Sequence, residues 1–394
     1  MRRALTRSND VAISARAGES TFDADGARGV STPVRLGYRP ELDGIRALAI
    51  VFVLWNHLDS LDPRALGWIK GNPSIGVDIF FTLSGFLITR LMLDEYYASG
   101  RFDVKQFLVR RARRLMPASL TVVAVVLLVA WLGDQPFGPM PNPNMSIIRS
   151  AFGAAAYHMN ILQMIPRLHH NWALTHTWSL SLEEQFYLIW PFVMLGILRM
   201  KRLDVRVRVA VAGCLIAAAS TLWGWHLRSI HALDHLYNGL DARAVQLAVG
   251  IALAGLTMLL PRLTTQLRWV GWPAGIVLCL VAFVHPLPSF LANVEYLTIA
   301  LLACGVIVGC LERSGHLAAV VRFRPLVELG KLSYSVYLVH YPVFFLLHHA
   351  LGDRLPTPVT LAIGGVAAFA LAGLMYVGVE RRFRRVRATA VAAA

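Results

Sequence analysis

Charge is what this chain has least of. Asp, Glu, Lys and Arg make up only 15% of its 394 residues, whereas 56% are hydrophobic and the mean hydropathy is +0.54. So little charge cannot cover a soluble globule, and the composition points instead to an all-α polytopic membrane protein. Acidic residues are the scarcer sign, 23 against 38 basic, for a net charge of +15. In a soluble protein that balance would suggest nucleic acid. Here the basic residues cluster between apolar runs, as cytoplasmic loops do, so they read as topology and as attraction for anionic lipid or an anionic cofactor, with no nucleic-acid partner. Cysteine is scarce too. Cys214, Cys279, Cys304 and Cys310 all fall inside apolar runs without metal-ligand spacing, so neither disulfides nor a zinc site follow. Residues 1–38 lack an apolar core; they form neither a signal peptide nor a span and read as a disordered cytoplasmic tail.

Runs long enough to cross the hydrocarbon core begin near Asp43, Ile75, Ala118, Leu180, Val209, Ala244, Trp269, Val294, Leu332 and Pro358. A further candidate, Ile147 to Ile165, is less apolar and carries Arg149, His158 and Asn160. Were it to cross fully, the cluster from Arg101 to Arg114 and the cluster from Arg199 to Arg208 would lie on opposite sides. Treating it as re-entrant or interfacial puts all the basic loops on one side. The expectation is a bundle of about ten transmembrane helices in the plasma membrane, with a membrane domain over 39–380, a basic tail over 381–394 and both termini cytoplasmic.

The charged and imidazole groups inside these runs are the candidate functional residues, because the bilayer makes them costly. Arg46 and His57 are eleven positions apart, nearly three helical turns, and so share one face of the first span. With Asp43 at the cytoplasmic end, His57 comes to the outer half of the membrane, and Asp78, near the outer start of the second span, lies at similar depth. The fourth span enters from outside through His176-Thr177-Trp178-Ser179-Leu180-Ser181-Leu182-Glu183-Glu184-Gln185-Phe186-Tyr187. Glu183 lies one turn below Tyr187 and is expected to face the bundle, whereas Glu184 reads as a carboxylate near a helix N-terminus. In the ninth span Ser333, Tyr337 and His340 form one polar stripe at i, i+4 and i+7. Arg110-Arg111-Ala112-Arg113-Arg114 is both a positive-inside cluster and a phosphate site in prospect, since residues three apart share a face and guanidinium groups fork onto phosphate. His169-His170 and His348-His349 point apart as adjacent pairs and make poor metal sites; no metal is expected.

These residues form five ordered blocks: Leu42-Asp43-Gly44-Ile45-Arg46 with His57, Gly76 to Ile88, Arg110 to Pro117, His176 to Tyr187, and Ser333-Tyr334-Ser335-Val336-Tyr337-Leu338-Val339-His340-Tyr341-Pro342. Together they resemble the acyltransferase family 3 membrane proteins, which act on glycans or macrolide-type natural products, and the match runs from about Arg39 to Glu380. The resemblance implies ten spans and O-acyl transfer, with acyl-CoA, acetyl-CoA above all, as donor substrate and no permanently bound cofactor. A hydroxyl of a glycan or small molecule is the implied acceptor. Carried over by position, Arg46 and His57 match the family's arginine and histidine of the first span. Arg110 and Arg113, or equally Arg111 and Arg114, match its R-x-x-R element, with donor handling implied, and Glu183 matches its carboxylate. Trp178, Tyr187, Ser333, Tyr337 and His340 are assigned to acceptor contact or structural support. Many relatives carry a C-terminal extracytoplasmic hydrolase-like domain; this sequence ends soon after Arg387-Ala388-Thr389, so the membrane domain is expected to recognise the acceptor.

Acyl transfer from a thioester to an alcohol requires removal of the alcohol proton and stabilisation of the oxyanion. His57 is the expected general base, with Asp78 or Glu183 to orient it. No G-x-S-x-G elbow or reactive cysteine is present, which favours direct transfer over an acyl-enzyme. Two other readings use the same residues: a proton-coupled transporter with His57, Asp78 and Glu183 as its relay, and a non-catalytic subunit that keeps the fold. The sequence shows none of the repeated halves common in transporters.

Overall fold

The computed structural model describes residues 35–65, 72, 74–133, 143–165, 167–168, 172–283, 294–312 and 314–383. Of the tails expected over 1–38 and 381–394, residues 1–34 and 384–394 lie outside the described residues, as does the His169-His170 pair. No strand occurs among the residues described. The longer helices are α1 (Pro40–Asn56), α2 (Ile75–Ser99), α3 (Val104–Leu132), α4 (Pro143–Ala155), α5 (Trp178–Arg199), α6 (Val205–Ser229), α7 (Leu240–Leu259), α8 (Gly271–Phe283), α9 (Glu295–Leu311), α10 (Arg324–Leu351) and α11 (Thr357–Met375). Five helical stretches, Ile75–Ser99, Val104–Leu132, Val205–Ser229, Leu233–Leu259 and Thr357–Phe383, are long and apolar enough to cross a bilayer. The chain is a multi-pass, all-α membrane protein.

Local chemistry explains where these helices start and stop. Pro40 and Pro325 occupy first-turn positions where a missing N–H costs nothing. Asp103 caps α3 by accepting the Gln106 N–H at 2.9 Å, and Asp204 caps α6 by accepting the Arg206 N–H at 2.7 Å. Gly100, at φ 72°, ends α2 in the left-handed conformation that glycine adopts freely. In the Ile147 to Ile165 region, α4 has 13 residues, about 20 Å of rise and short of the ~30 Å hydrocarbon core. It breaks at Tyr157, a non-glycine residue at φ 55°, before a short helix over Met159–Gln163.

Several crossings bring backbone against backbone, two of them around the site. A Cβ at Gly330 on α10 would stand 1.8 Å from the Asp43 carbonyl oxygen of α1. Likewise Gly85 on α2 meets the Leu247 carbonyl of α7, while Gly250 on α7 meets the Thr82 carbonyl of α2. Helices α1 and α10 run parallel from the Asp43–Gly330 contact, and farther along they bring His57 against His340. Asp43, Arg114 and Lys331 mark what we term the basic end of the bundle; His57 and His340 lie towards the other.

Candidate active site

His57 caps the end of α1. Its φ of −102° leaves the helical range while its N–H still bonds the Val53 and Leu54 carbonyls, so the backbone turns here and the ring is delivered onto α10. Its Nδ1 lies 2.9 Å from His340 Nε2, and the ring centroids are 5.1 Å apart. The hydrogen-bond pattern assigns the protons. His340 Nδ1 lies 2.8 Å from the Tyr337 carbonyl and 3.1 Å from that of Val336. Carbonyls only accept, so Nδ1 carries the hydrogen, and neutral His340 presents a lone pair at Nε2. His57 Nδ1 therefore donates to it, which leaves the basic lone pair on His57 Nε2, where no hydrogen bond is made among the described residues. Tyr341 packs edge-on against the His57 ring at 4.7 Å.

A third imidazole completes this cluster. His176 is buried, 5.5 Å from His340 and 5.0 Å from Tyr341 between ring centroids, and neither of its nitrogens has a partner of good geometry. One turn above Leu338, Pro342 has no N–H to give the Leu338 carbonyl, and that free acceptor faces His176. In the sequence His176 stands at the head of the block that runs to Tyr187, where spacing alone does not mark it as a site residue.

The carboxylates sit elsewhere. Asp78 was expected to be a candidate for orienting His57, but its carboxylate is fully engaged: Arg243 Nη2 donates at 2.6 Å, Gln246 Nε2 at 3.0 Å and Ser74 Oγ at 2.9 Å. The group that holds His57 in this structure is His340 instead. Arg243 is completely buried, with its guanidinium 4.1 Å from the Tyr296 ring centroid and 5.3 Å from that of Trp178. It escaped the sequence reading, although an arginine at the start of an apolar run, on the side the charge rule reserves for neutral loops, was the available signal. Glu183 accepts hydrogen bonds from Ser84 Oγ and, at 2.7 Å, from Tyr187 OH, as its spacing to Tyr187 suggested. Glu184 stands in the second turn of α5, too far in for a helix-end role, and lies among Arg111, Tyr157 and Tyr334.

Two cavities occupy the basic end. The inner one, about 620 Å³, begins among Arg39, Arg114 and Lys331 and reaches inward past Arg46, Arg111 and Glu183 to Ser179, Ser333 and Tyr337. The outer one, about 970 Å³, is lined by Arg35, Arg110 and Arg113 together with Asp94 and Glu95. Gly37, Leu91, Arg111 and Arg114 line both, so these residues form the neck between them. The two arginine pairs thereby separate. Arg111 and Arg114 face the neck, Arg111 lying 5.0 Å over the Tyr187 ring, whereas Arg110 is bound by Glu95 Oε2 at 2.8 Å and Gln106 Oε1 at 2.5 Å. Arg46 reaches Asp43 at 3.4 Å on the inner cavity wall. Both Arg46 and His57 thus face α10, from opposite ends of α1.

Outside the helices, Asp62 in the turn after His57 accepts from Arg64 N, Nε and Nη2, each at 2.9 Å. These bonds hold its pKa well down, at about 2. Arg64 also donates to the Leu355 carbonyl at 3.1 Å, which braces the turn against the approach to α11. His348 and His349 lie together near the end of α10, and no group of three His, Cys, Asp or Glu side chains is placed to hold a metal among the described residues.

Comparison with known proteins adds three findings. Residues 39–377 match the model of the family described as acyltransferase domain. The chain is 30% identical over 370 residues to the peptidoglycan O-acetyltransferase OatA of Listeria monocytogenes, covering 88% of this chain and 56% of that protein. It is 32% identical over 323 residues to the putative peptidoglycan O-acetyltransferase YrhL of Bacillus subtilis, covering 78% and 49%, and 29% identical over 324 residues to the O-acetyltransferase OatA of Staphylococcus aureus, covering 78% and 50%. The chain thus spans about half the length of these curated relatives. No solved structure matches it.

Proposed function

The chain belongs to the acyltransferase family 3, and on that premise we propose that it is an integral-membrane O-acyltransferase moving an acetyl or other short acyl group from acyl-CoA to a hydroxyl of a glycan or related natural product. The observation that carries this reading is the His57–His340 contact, which in the neutral pair leaves the free lone pair on His57 Nε2. That nitrogen takes the proton of the acceptor hydroxyl as its oxygen bonds to the thioester carbonyl carbon. Collapse of the tetrahedral adduct breaks the carbon–sulfur bond, and the departing thiolate recovers the proton from the imidazolium. Arg111 and Arg114 at the neck are suited to the donor's phosphates by charge-assisted hydrogen bonds, and the inner cavity to its pantetheine arm. The basic end then faces the cytoplasm, where CoA is found, with about ten spans and both termini inside. The names of the relatives favour a peptidoglycan-like acceptor.

The transporter reading asks His57, Asp78 and Glu183 to pass a proton along. Each is instead bonded to its own partners, and no hydrogen bond joins any two of the three. The deciding experiment supplies purified protein with labelled acetyl-CoA and soluble glycan fragments. Acceptor-dependent release of CoA is expected; a protein that neither binds acetyl-CoA nor releases CoA overturns the reading.

A further inference from the structure

The inner cavity stops one ring short of the histidines. Tyr337 lines it, yet His57, His176 and His340 do not. The Tyr337 side chain is buried and held at its tip: its OH lies 2.7 Å from the His176 carbonyl oxygen and 2.5 Å from Ser179 Oγ. The carbonyl only accepts, so Tyr337 spends its single proton there and Ser179 donates to the phenol oxygen. Behind the phenol, its ring centroid lies 5.5 Å from that of His176 and 5.6 Å from that of His340. One side chain, stapled from α10 to the start of α5, thus forms the wall between the cavity and the imidazole cluster.

We propose that Tyr337 is the movable partition between the donor cavity and the histidine pair: closed, it keeps water on the histidine side from the thioester, and it swings aside to admit the acyl group. As a gate for acyl-CoA this rests on the function proposed above, but the partition itself is a property of the cavity and can be measured without a donor. The closed position depends on two neutral hydrogen bonds, each of modest net strength, so a rotamer change at one residue opens the path without any helix moving. The partition also limits acyl length, because a longer chain must displace the ring before its carbonyl reaches His57.

The test compares labelling on the two sides of the wall. Single cysteines replace Ser333, inside the cavity, or His340, beyond it, in a chain whose four native cysteines are alanine. A small cationic methanethiosulfonate reagent is then supplied to sealed vesicles from the side that labels the Ser333→Cys probe. Adding Tyr337→Ala should raise the ratio of labelling at 340 to labelling at 333 by roughly tenfold or more, the scale expected when both phenol hydrogen bonds and the ring are lost. Tyr337→Leu, which retains bulk, is measured in parallel and carries the test if the alanine variant does not insert, the Ser333→Cys rate reporting an intact cavity. In the native-cysteine enzyme, Tyr337→Ala should increase acetyl-CoA hydrolysis without acceptor several-fold and improve butyryl-CoA relative to acetyl-CoA. An unchanged labelling ratio overturns the partition whatever the donor. A raised ratio in a protein that binds no acyl-CoA leaves the partition standing and overturns the donor.

Discussion

His57 is oriented by another histidine, His340, 283 residues away in sequence and 2.9 Å away in space. Because His340 spends its own Nδ1 hydrogen on the backbone of α10, the pair has one neutral arrangement, and the free lone pair lies on His57.

Replacing His57 with alanine should lower acyl transfer by about 10²–10⁴, the range for a general base. His340→Gln, whose side-chain carbonyl can take the place of the Nε2 acceptor, should keep more activity than His340→Leu. Equal turnover in the two His340 variants, measured in the same membranes, would contradict the assigned tautomer.

The arginines at the neck should outrank their neighbours. Alanine at both Arg111 and Arg114 should weaken acyl-CoA binding by roughly 10²–10⁴-fold, since each of the two charge-assisted hydrogen bonds lost is worth about 1.5–3 kcal/mol. Alanine at Arg110 and Arg113 should cost less, because Arg110 is already committed to Glu95. Calorimetry in detergent, with membrane insertion verified, distinguishes the pairs; the reverse ranking would move the phosphates into the outer cavity.

Both glutamates of α5 point inward, against different partners. Glu183→Gln should lower turnover most, because the carboxylate holding Ser84 and Tyr187 forms part of the inner cavity wall. Glu184→Gln should chiefly change how Arg111 is held and so raise the KM for the donor. Equal, mild losses in kcat would reduce both to helix packing.

Asp78 and Arg243 should act as a structural unit. Asp78→Asn leaves a fully buried guanidinium without its counter-charge, which costs about 3–5 kcal/mol, whereas Asp78→Asn with Arg243→Leu should recover part of that. Thermal unfolding in detergent reports the cycle. A stable Asp78→Asn protein that has lost only turnover would place Asp78 in the chemistry after all.

Acid should loosen the turn that follows His57. The Asp62 carboxylate titrates near 2 in the folded protein and near 3.9 unfolded, so its stabilising effect is complete above about pH 4 and fades as pH falls towards 2. Asp62→Asn should flatten the stability profile across that window. An unaltered profile would show that Arg64 does not hold the carboxylate.

Much of this was legible in the chain because membrane helices announce themselves locally. Each run expected to cross falls on a helix, five of them long and apolar enough to span, and the interrupted Ile147 to Ile165 region breaks at Tyr157. Glu183 over Tyr187 followed from helical spacing alone. The His57–His340 contact did not, because spacing says which residues share a face and nothing about which distant helix that face meets. For the same reason Asp78 looked available while nothing in the spacing marked Arg243 as its partner. The R-x-x-R ambiguity was also beyond the sequence: both pairs satisfy the spacing, and only the packing of α3 against Glu95 and Tyr187 tells them apart.

The contact of Gly330 with the Asp43 carbonyl has a mechanical consequence. With no side chain between them, α1 and α10 are riveted at one end, and a molecule wedged into the adjoining cavity has no compressible layer to squeeze there. The two rods cannot close any further at that fulcrum. On the function and gate proposed above, turnover works through pieces that swivel, such as Tyr337 and the arginines of α3, while the frame that sets His57 on His340 keeps its alignment.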